Sequence, residues 1–214
     1  RNQIVVDGIS NKKFDPTNVG KHVEAREFNN ILSEKETACV DMRNHYESEI
    51  GHFIGAITPN VDSFKESIKF IDKKFKNENK KKKILLYCTG GIRCEKASAY
   101  LKFKGFKNVY QLDGGIINYA HQVKKNNYKN KFIGKNFVFD NRLSENITND
   151  VISNCHQCGT KSDDHVNCSN VACNLLFIQC KSCNDLFNGC CSIECQKINN
   201  LSSEKQKSLR KGEK

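Results

Sequence analysis

The 214-residue sequence predicts an open α/β domain built on a parallel sheet flanked by helices, followed by a small cysteine-rich, metal-stabilised module. Three observations carry that expectation. Short apolar runs of strand character alternate with stretches of helical spacing as far as residue 125, the pattern of parallel strands joined by crossover helices. An apolar run ends at Cys88 and passes through a glycine-rich loop into a helix-like segment, the layout of a ligand site at the carboxyl end of a strand. Nine of the twelve cysteines then crowd between Cys155 and Cys195.

Taken in order, residues 1–24 read as an extended lead-in, with strand character at Ile4-Val5-Val6 and a turn at Asp15-Pro16. Ala25 to Leu32 is expected to be a short helix and Thr37 to Asp41 a buried strand, followed by a polar helical stretch to Glu49. Gly51-His52-Phe53-Ile54-Gly55-Ala56 reads as a turn and a short strand. From Ser63 to Phe75, apolar residues recur at Phe64, Ile68, Ile71 and Phe75, close to the helical period. Ile84 to Tyr87 is the strand that delivers Cys88. Cys94 to Lys104 reads as a helix stopped by Gly105, and Val109 to Leu112 as another strand. Asp113-Gly114-Gly115 then turns the chain into a helix running from Ile116 to Lys125. Residues 127–150 form a polar connector in which Phe132 to Phe139 is expected to add an edge strand. In the C-terminal module, residues 151–214, periodicity gives way to cysteine spacing, and the chain beyond Cys195 is charged and serine-rich.

A hydrophobic content of 37% supports a real core. No stretch approaches the ~20 apolar residues of a membrane span, so no membrane partner is expected. The net charge is +11, and its distribution is uneven. Residues 1–140 hold 26 basic and 16 acidic residues, whereas residues 141–214 hold 9 and 8. Lys65 to Lys83 carries nine lysines against three acids, and Lys102 to Lys135 eight against one. Such a field attracts a polyanion, although a merely solvated lysine face has the same composition. Twelve cysteines without an export signal argue against a disulfide framework and for a cytoplasmic protein.

The loop after Cys88 has the residues of a thiolate cradle. A loop closing onto a helix N-terminus aims backbone N–H groups at one point, and the helix dipole adds partial positive charge there. Thr89, Gly90, Gly91, Ile92 and Cys94 are expected to form that anion-binding loop. Arg93 adds a full charge, so the Cys88 thiol should be acidified and its anion, or a persulfide built on it, stabilised. Cys94 is either a resolving thiol for Cys88 or a packed residue of the first helical turn.

The tail cysteines fall into pairs: Cys155 with Cys158, Cys168 with Cys173, Cys180 with Cys183, and Cys190 or Cys191 with Cys195. CxxC spacing lets two sulfurs reach one tetrahedral ion at ~2.3 Å. Four pairs predict two structural zinc ions, with the first and third pairs on one ion and the second and fourth on the other. Metal would replace a missing core here, since residues 155–195 hold few large apolar side chains. Two four-thiolate sites would also shift the tail's balance from +1 to about −3. His156 and His165 are candidate substitute ligands or solvent-facing residues.

Val40-Asp41-Met42-Arg43, then Gly51 to Ala56, then Cys88-Thr-Gly-Gly-Ile-Arg93, then Leu112-Asp113-Gly114-Gly115 resemble, in this order and spacing, a rhodanese domain spanning residues 25–126. The resemblance implies a parallel α/β fold, a persulfide carried on Cys88, and a cradle made by the backbone from Thr89 to Cys94. Asp41, Arg43 and His52 would then brace the fold. The longer run from Cys88 to Ser98, together with the cysteine-rich tail, is similar to the rhodanese-related tRNA uridine hydroxylases and extends the likeness to most of the chain. It implies oxygen-dependent formation of 5-hydroxyuridine at the tRNA wobble position, with Cys88 and Arg93 as the catalytic residues, oxygen as co-substrate, and tRNA rather than DNA as partner. It implies no mechanism, since the sequence shows neither a haem or flavin motif nor a clear iron triad. Members of that family carry a further N-terminal domain, and this chain is expected to begin just after it. The alternative function is a sulfurtransferase that takes sulfane sulfur from a donor onto Cys88; a third is a zinc-stabilised binding module without catalysis.

Overall fold

The computed structural model describes residues 7–9, 11 and 13–211. The strand expected at Ile4-Val5-Val6 lies outside the described residues. The chain divides into two compact units, residues 1–137 with 146–149, and residues 138–145 with 150–214. In chain order the first unit runs β1 (Lys21–Val23), α1 (Ala25–Leu32), β2 (Ala38–Asp41), α2 (His45–Ser48), β3 (Gly51–Phe53), α3 (Phe64–Lys74), β4 (Lys83–Tyr87), α4 (Ile92–Phe103), β5 (Asn108–Leu112), α5 (Gly115–Asn126) and β6 (Phe132–Phe137).

The expected parallel α/β architecture is present: β1, β5, β4 and β2 lie side by side in that order, every pair parallel. Strands in such a sheet are buried on both faces, which is why β4 is apolar without interruption from Ile84 to Tyr87. Its alternate residues Ile84 and Leu86, with Cys88 beyond them, pack with Phe64, Ile68 and Ile71 of α3 and Ala97 and Leu101 of α4. Leu85 and Tyr87 pack on the other face with Phe28 and Ile31 of α1 and Ile116 and Tyr119 of α5. The helices follow from local chemistry. Ser63 caps α3 by accepting the Glu66 N–H through its side chain, and Gly105, at φ +90°, follows the end of α4.

Two strands depart from the sequence reading. β1 falls in the stretch read as a lead-in, yet it pairs with Tyr110 to Leu112 as the edge of the sheet. Only Val23 of its three residues is buried, so it has no alternation to read. β6 does form, but it pairs antiparallel with β3, Phe53 opposite Phe132, outside the parallel sheet.

A short strand, β7 (Ser144–Asn146), falls at the boundary between the units. The second unit then contains an antiparallel hairpin of β8 (His165–Asn167) and β9 (Leu176–Ile178), and the helices α6 (Lys181–Phe187), α7 (Ile193–Asn199) and α8 (Ser203–Lys211). Its buried cluster is small, with Phe177 between Cys168 and Cys190. No helix among the described residues is long and apolar enough to cross a membrane.

Candidate active site

Cys88 sits at the carboxyl end of β4, 2% exposed, and its Sγ accepts the Gly91 N–H at 3.1 Å. Gly91 caps α4 at φ +93°, a conformation that suits glycine and turns the loop back toward the sulfur. The Cys88 thiol is pushed down from 9.0 to about 6. The largest cause is a hydrogen bond from Cys94; burial opposes it, and the Arg93 charge and the backbone N–H groups of Cys94 and Arg93 add to it. At neutral pH the group is therefore a thiolate, the form that attacks electrophiles and carries sulfur.

A second glycine turn holds the loop from below. The Ile116 N–H donates to the Cys88 carbonyl at 3.0 Å and the Ile117 N–H to the Thr89 carbonyl at 3.2 Å, so the first turn of α5 grips the loop. Gly115, at φ +63°, makes that possible, since a Cβ there would lie 2.5 Å from both carbonyl oxygens. Outside the loop, a Cβ on Gly90 would meet nothing within 4 Å, and Ile92 is 57% exposed. The cradle is closed toward the core and open toward an incoming group.

Arg93 is held by a residue that the sequence reading overlooked. Its Nη1 and Nη2 donate to the two carboxylate oxygens of Glu47 at 2.5 and 2.7 Å, and Glu47 is wholly buried. Glu47 also accepts the Asn44 N–H at 3.0 Å and the Thr89 hydroxyl at 3.3 Å. One carboxylate thus ties α2, the loop and α4 together. Burial works against the Arg93 charge, but the hydrogen bonds and charge of Glu47 outweigh it and keep the guanidinium ionised. A signal existed in Asn44 followed three residues later by Glu47, a capping box, which the structure shows in full.

Cys94 is buried in the core cluster that also holds Cys88, and burial raises its thiol well above the ordinary value. Of the residues expected to brace the fold, Asp41 and Arg43 form a fully buried pair at 2.7 Å, and Arg43 also donates to the Gly51 carbonyl at 2.5 Å. The Arg43 guanidinium lies 5.8 Å from the Tyr87 ring and 5.9 Å from the Phe132 ring. His52 places Nδ1 3.1 Å from the Phe53 carbonyl.

In the second unit the tail cysteines gather into two groups that could each hold a metal ion: Cys155, Cys158, Cys180 and Cys183, and Cys168, Cys173, Cys191 and Cys195. All ligand atoms of a group lie within 4.8 Å of one another. Cys158 and Cys180 approach to 3.6 Å, Cys173 and Cys191 to 3.7 Å, and Cys191 and Cys195 to 3.6 Å. The pairs interleave along the chain, first with third and second with fourth. Cys190, included among the expected ligands, stands outside both groups. It is buried beside Phe177, its Sγ turned to the Asn188 carbonyl at 3.7 Å. His156 is exposed and His165 buried, and neither joins a group.

Family models match both units. Residues 24–122 match the rhodanese-like domain, and residues 133–196 match the rhodanase C-terminal region. The fold of residues 24–122 is rhodanese-like. The match on the rhodanese-like domain contains Asp41, Glu47, Cys88, Arg93 and the Gly114-Gly115 turn, and the C-terminal match contains all nine tail cysteines. The chain is 56% identical over 212 residues, 99% of its length, to the tRNA uridine(34) hydroxylase of Leptospira interrogans. It is 51% identical over the same 99% to the proteins of that name from Yersinia enterocolitica and Yersinia pestis. It spans 58% of the Leptospira protein and 60% and 59% of the two Yersinia proteins. The likeness to the rhodanese-related hydroxylases read from the Cys88 loop and the tail is thus borne out. Among solved structures, the rhodanese-like domain of an Anabaena protein aligns with 53% of this chain and 78% of its own, at 21% identity and a TM-score of 0.41.

Proposed function

We propose that this chain is the Cys88-bearing part of an enzyme that hydroxylates the wobble uridine of tRNA to 5-hydroxyuridine, with oxygen as co-substrate. The observation that carries the reading is the Cys88 sulfur seated in a backbone cradle, where it accepts the Gly91 N–H and its thiol is lowered to about 6. It belongs to a chain whose relatives bear the name tRNA uridine(34) hydroxylase. Cys88 supplies a soft nucleophile at neutral pH, the loop N–H groups and the α4 dipole hold negative charge beside it, and Arg93, fixed by Glu47, holds the loop in register. The domain that carries this chemistry takes in β1 and β6 as well as residues 25–126, and residues 151–214 belong to the cysteine-rich module. A tRNA substrate fits a cytoplasmic protein with a basic front domain.

We infer that the metal is zinc, one ion in each four-cysteine group. Four sulfurs at ~2.3 Å from a tetrahedral ion are about 3.8 Å apart, close to the 3.6 and 3.7 Å separations found. With four thiolates each ion has no open position, so its role is to fold the module. Metal analysis of the purified full-length protein should return two zinc ions per chain.

A second reading, sulfur transfer, draws on the cradle itself, since N–H groups that hold a thiolate also hold a persulfide. The test separates the two. Nucleosides of tRNA are measured by mass spectrometry in cells lacking the full-length gene, complemented by wild type or Cys88→Ser. Return of 5-hydroxyuridine derivatives with wild type only supports hydroxylation. Loss of 2-thiouridine instead supports sulfur relay from a donor, and an unchanged profile overturns both.

A further inference from the structure

A second feature of the first unit lies away from Cys88. Between α3 and α4, Ile71, Phe75, Leu101 and Phe106 floor a cavity of about 370 Å³ whose rim carries Lys76, Lys80 and Lys104. It adjoins a second hollow of about 280 Å³, which shares Asp72, Tyr100 and Lys104 with it and adds Lys65 and Lys69. Two carboxylates line the groove, and both are engaged. Asp72 accepts from Lys104 at 2.8 Å and from the Tyr100 hydroxyl at 2.9 Å, and Asp7 pairs with Lys96 at 2.6 Å. Among the described residues Lys65, Lys69 and Lys76 make no ion pair within 4.0 Å, although the Lys76 charge helps to lower the Asp72 carboxyl. The Lys80 ammonium lies 4.0 Å from the centre of the Phe106 ring, which presents it at the rim.

Lys80 precedes β4 and Phe106 precedes β5, so the larger cavity opens at the amino ends of the parallel strands, and the Lys107 N–H bond to the Lys80 carbonyl joins the two turns there. Cys88 lies at the carboxyl end of β4. Five strand residues separate the two, roughly 17 Å, too far for one small molecule to engage both.

Resting on the tRNA reading above, we propose that this lysine-lined groove is a second RNA-binding surface, which holds backbone phosphates of the tRNA while the wobble uridine is presented to Cys88. Charge complementarity selects the occupant. The unpaired cations line one continuous concave face, and a folded polyanion reaches both ends of the domain at once. The groove contributes position and affinity, independent of base identity.

The test uses the full-length protein with Lys76→Gln/Lys80→Gln, and Lys124→Gln/Lys125→Gln on α5 as a charge-matched control. Affinity for tRNA is measured across a series of salt concentrations. The groove variant should lower the slope of log affinity against log salt by about 2, roughly 1 for each phosphate no longer neutralised by a lysine, and raise KM for tRNA with kcat unchanged. The control should keep the wild-type slope, and persulfide loading of Cys88 from thiosulfate should be unchanged in both. A groove variant with the wild-type slope and KM overturns the proposal while leaving the hydroxylase reading intact; that outcome would assign the groove to another partner, such as an acidic protein. A lowered slope in a protein that modifies no uridine supports the groove and sinks the hydroxylase reading. A wild-type protein with no affinity for tRNA overturns both.

Discussion

Arg93 and Glu47 should move the acidity of Cys88 in opposite directions, and the size of the effect follows from the loop. A thiol lowered from 9.0 to about 6 prefers its anion by about 4 kcal/mol more than a free cysteine does. At pH 7 that is the difference between about 90% and about 1% thiolate. Arg93→Ala removes one of the charges that favour the anion, but alone it would strand the buried Glu47 carboxylate. The informative variant is therefore Arg93→Ala/Glu47→Gln, in which the midpoint should rise by roughly one unit or more. Glu47→Gln alone leaves the Arg93 charge uncompensated, and the midpoint should fall. The assay is the rate of iodoacetamide alkylation of the Cys88 peptide, read by mass spectrometry between about pH 4 and pH 10. A wild-type midpoint near that of a free thiol, or a double variant with the wild-type midpoint, would refute the reasoning. Stability gives an independent check. Because the folded value lies below the unfolded one, the contribution of Cys88 is complete above about pH 9 and disappears as pH falls toward 6. Cys88→Ala should therefore cost more stability at pH 9 than at pH 6.

Gly115→Ala should loosen the cradle, because its Cβ would meet the Cys88 and Thr89 carbonyl oxygens at 2.5 Å; the same alkylation profile should then shift toward that of an ordinary thiol. Arg43→Met should destabilise the first unit by about 3–5 kcal/mol in urea titration by leaving the Asp41 carboxylate buried and unpaired, and Asp41→Leu/Arg43→Met should recover much of the loss. Cys191→Ser should cost one of the two inferred zinc ions by elemental analysis, whereas Cys190→Ser should keep both, since Cys190 lies outside the four-cysteine groups.

Most of the fold was legible because its strands and helices carry their own signals. β4 is apolar from Ile84 to Tyr87 since both of its faces are covered, and α3 shows Phe64, Ile68 and Ile71 on one side. The Cys88 loop was legible for a different reason: a cysteine followed by two glycines and an arginine has few structural uses. β1 was hidden because an edge strand of three residues, two of them exposed, has no period. The pairing of β6 with β3 was hidden because period alone says that a strand forms and nothing about its neighbour. The choice between Cys190 and Cys191 was equally out of reach, because adjacent cysteines have nearly the same spacing and only the backbone direction decides which sulfur faces the group.

Glu47 shows how a site residue can hide in plain view. In the sequence it is one carboxylate in a polar stretch of a short helix, and its capping role accounts for it locally. Only the fold brings α2 against the loop, where the same carboxylate meets Arg93 and Thr89. The pairing also changes what Arg93 does. A bidentate salt bridge to a buried carboxylate leaves less of its charge for the thiolate than a free guanidinium would supply. That agrees with the largest acidifying influence on Cys88 being the hydrogen bond from Cys94, with the charge of Arg93 behind it. Arg93 is thus as much the rivet of the loop as its counter-ion, and the opposed effects of Glu47→Gln and the double variant separate those two roles.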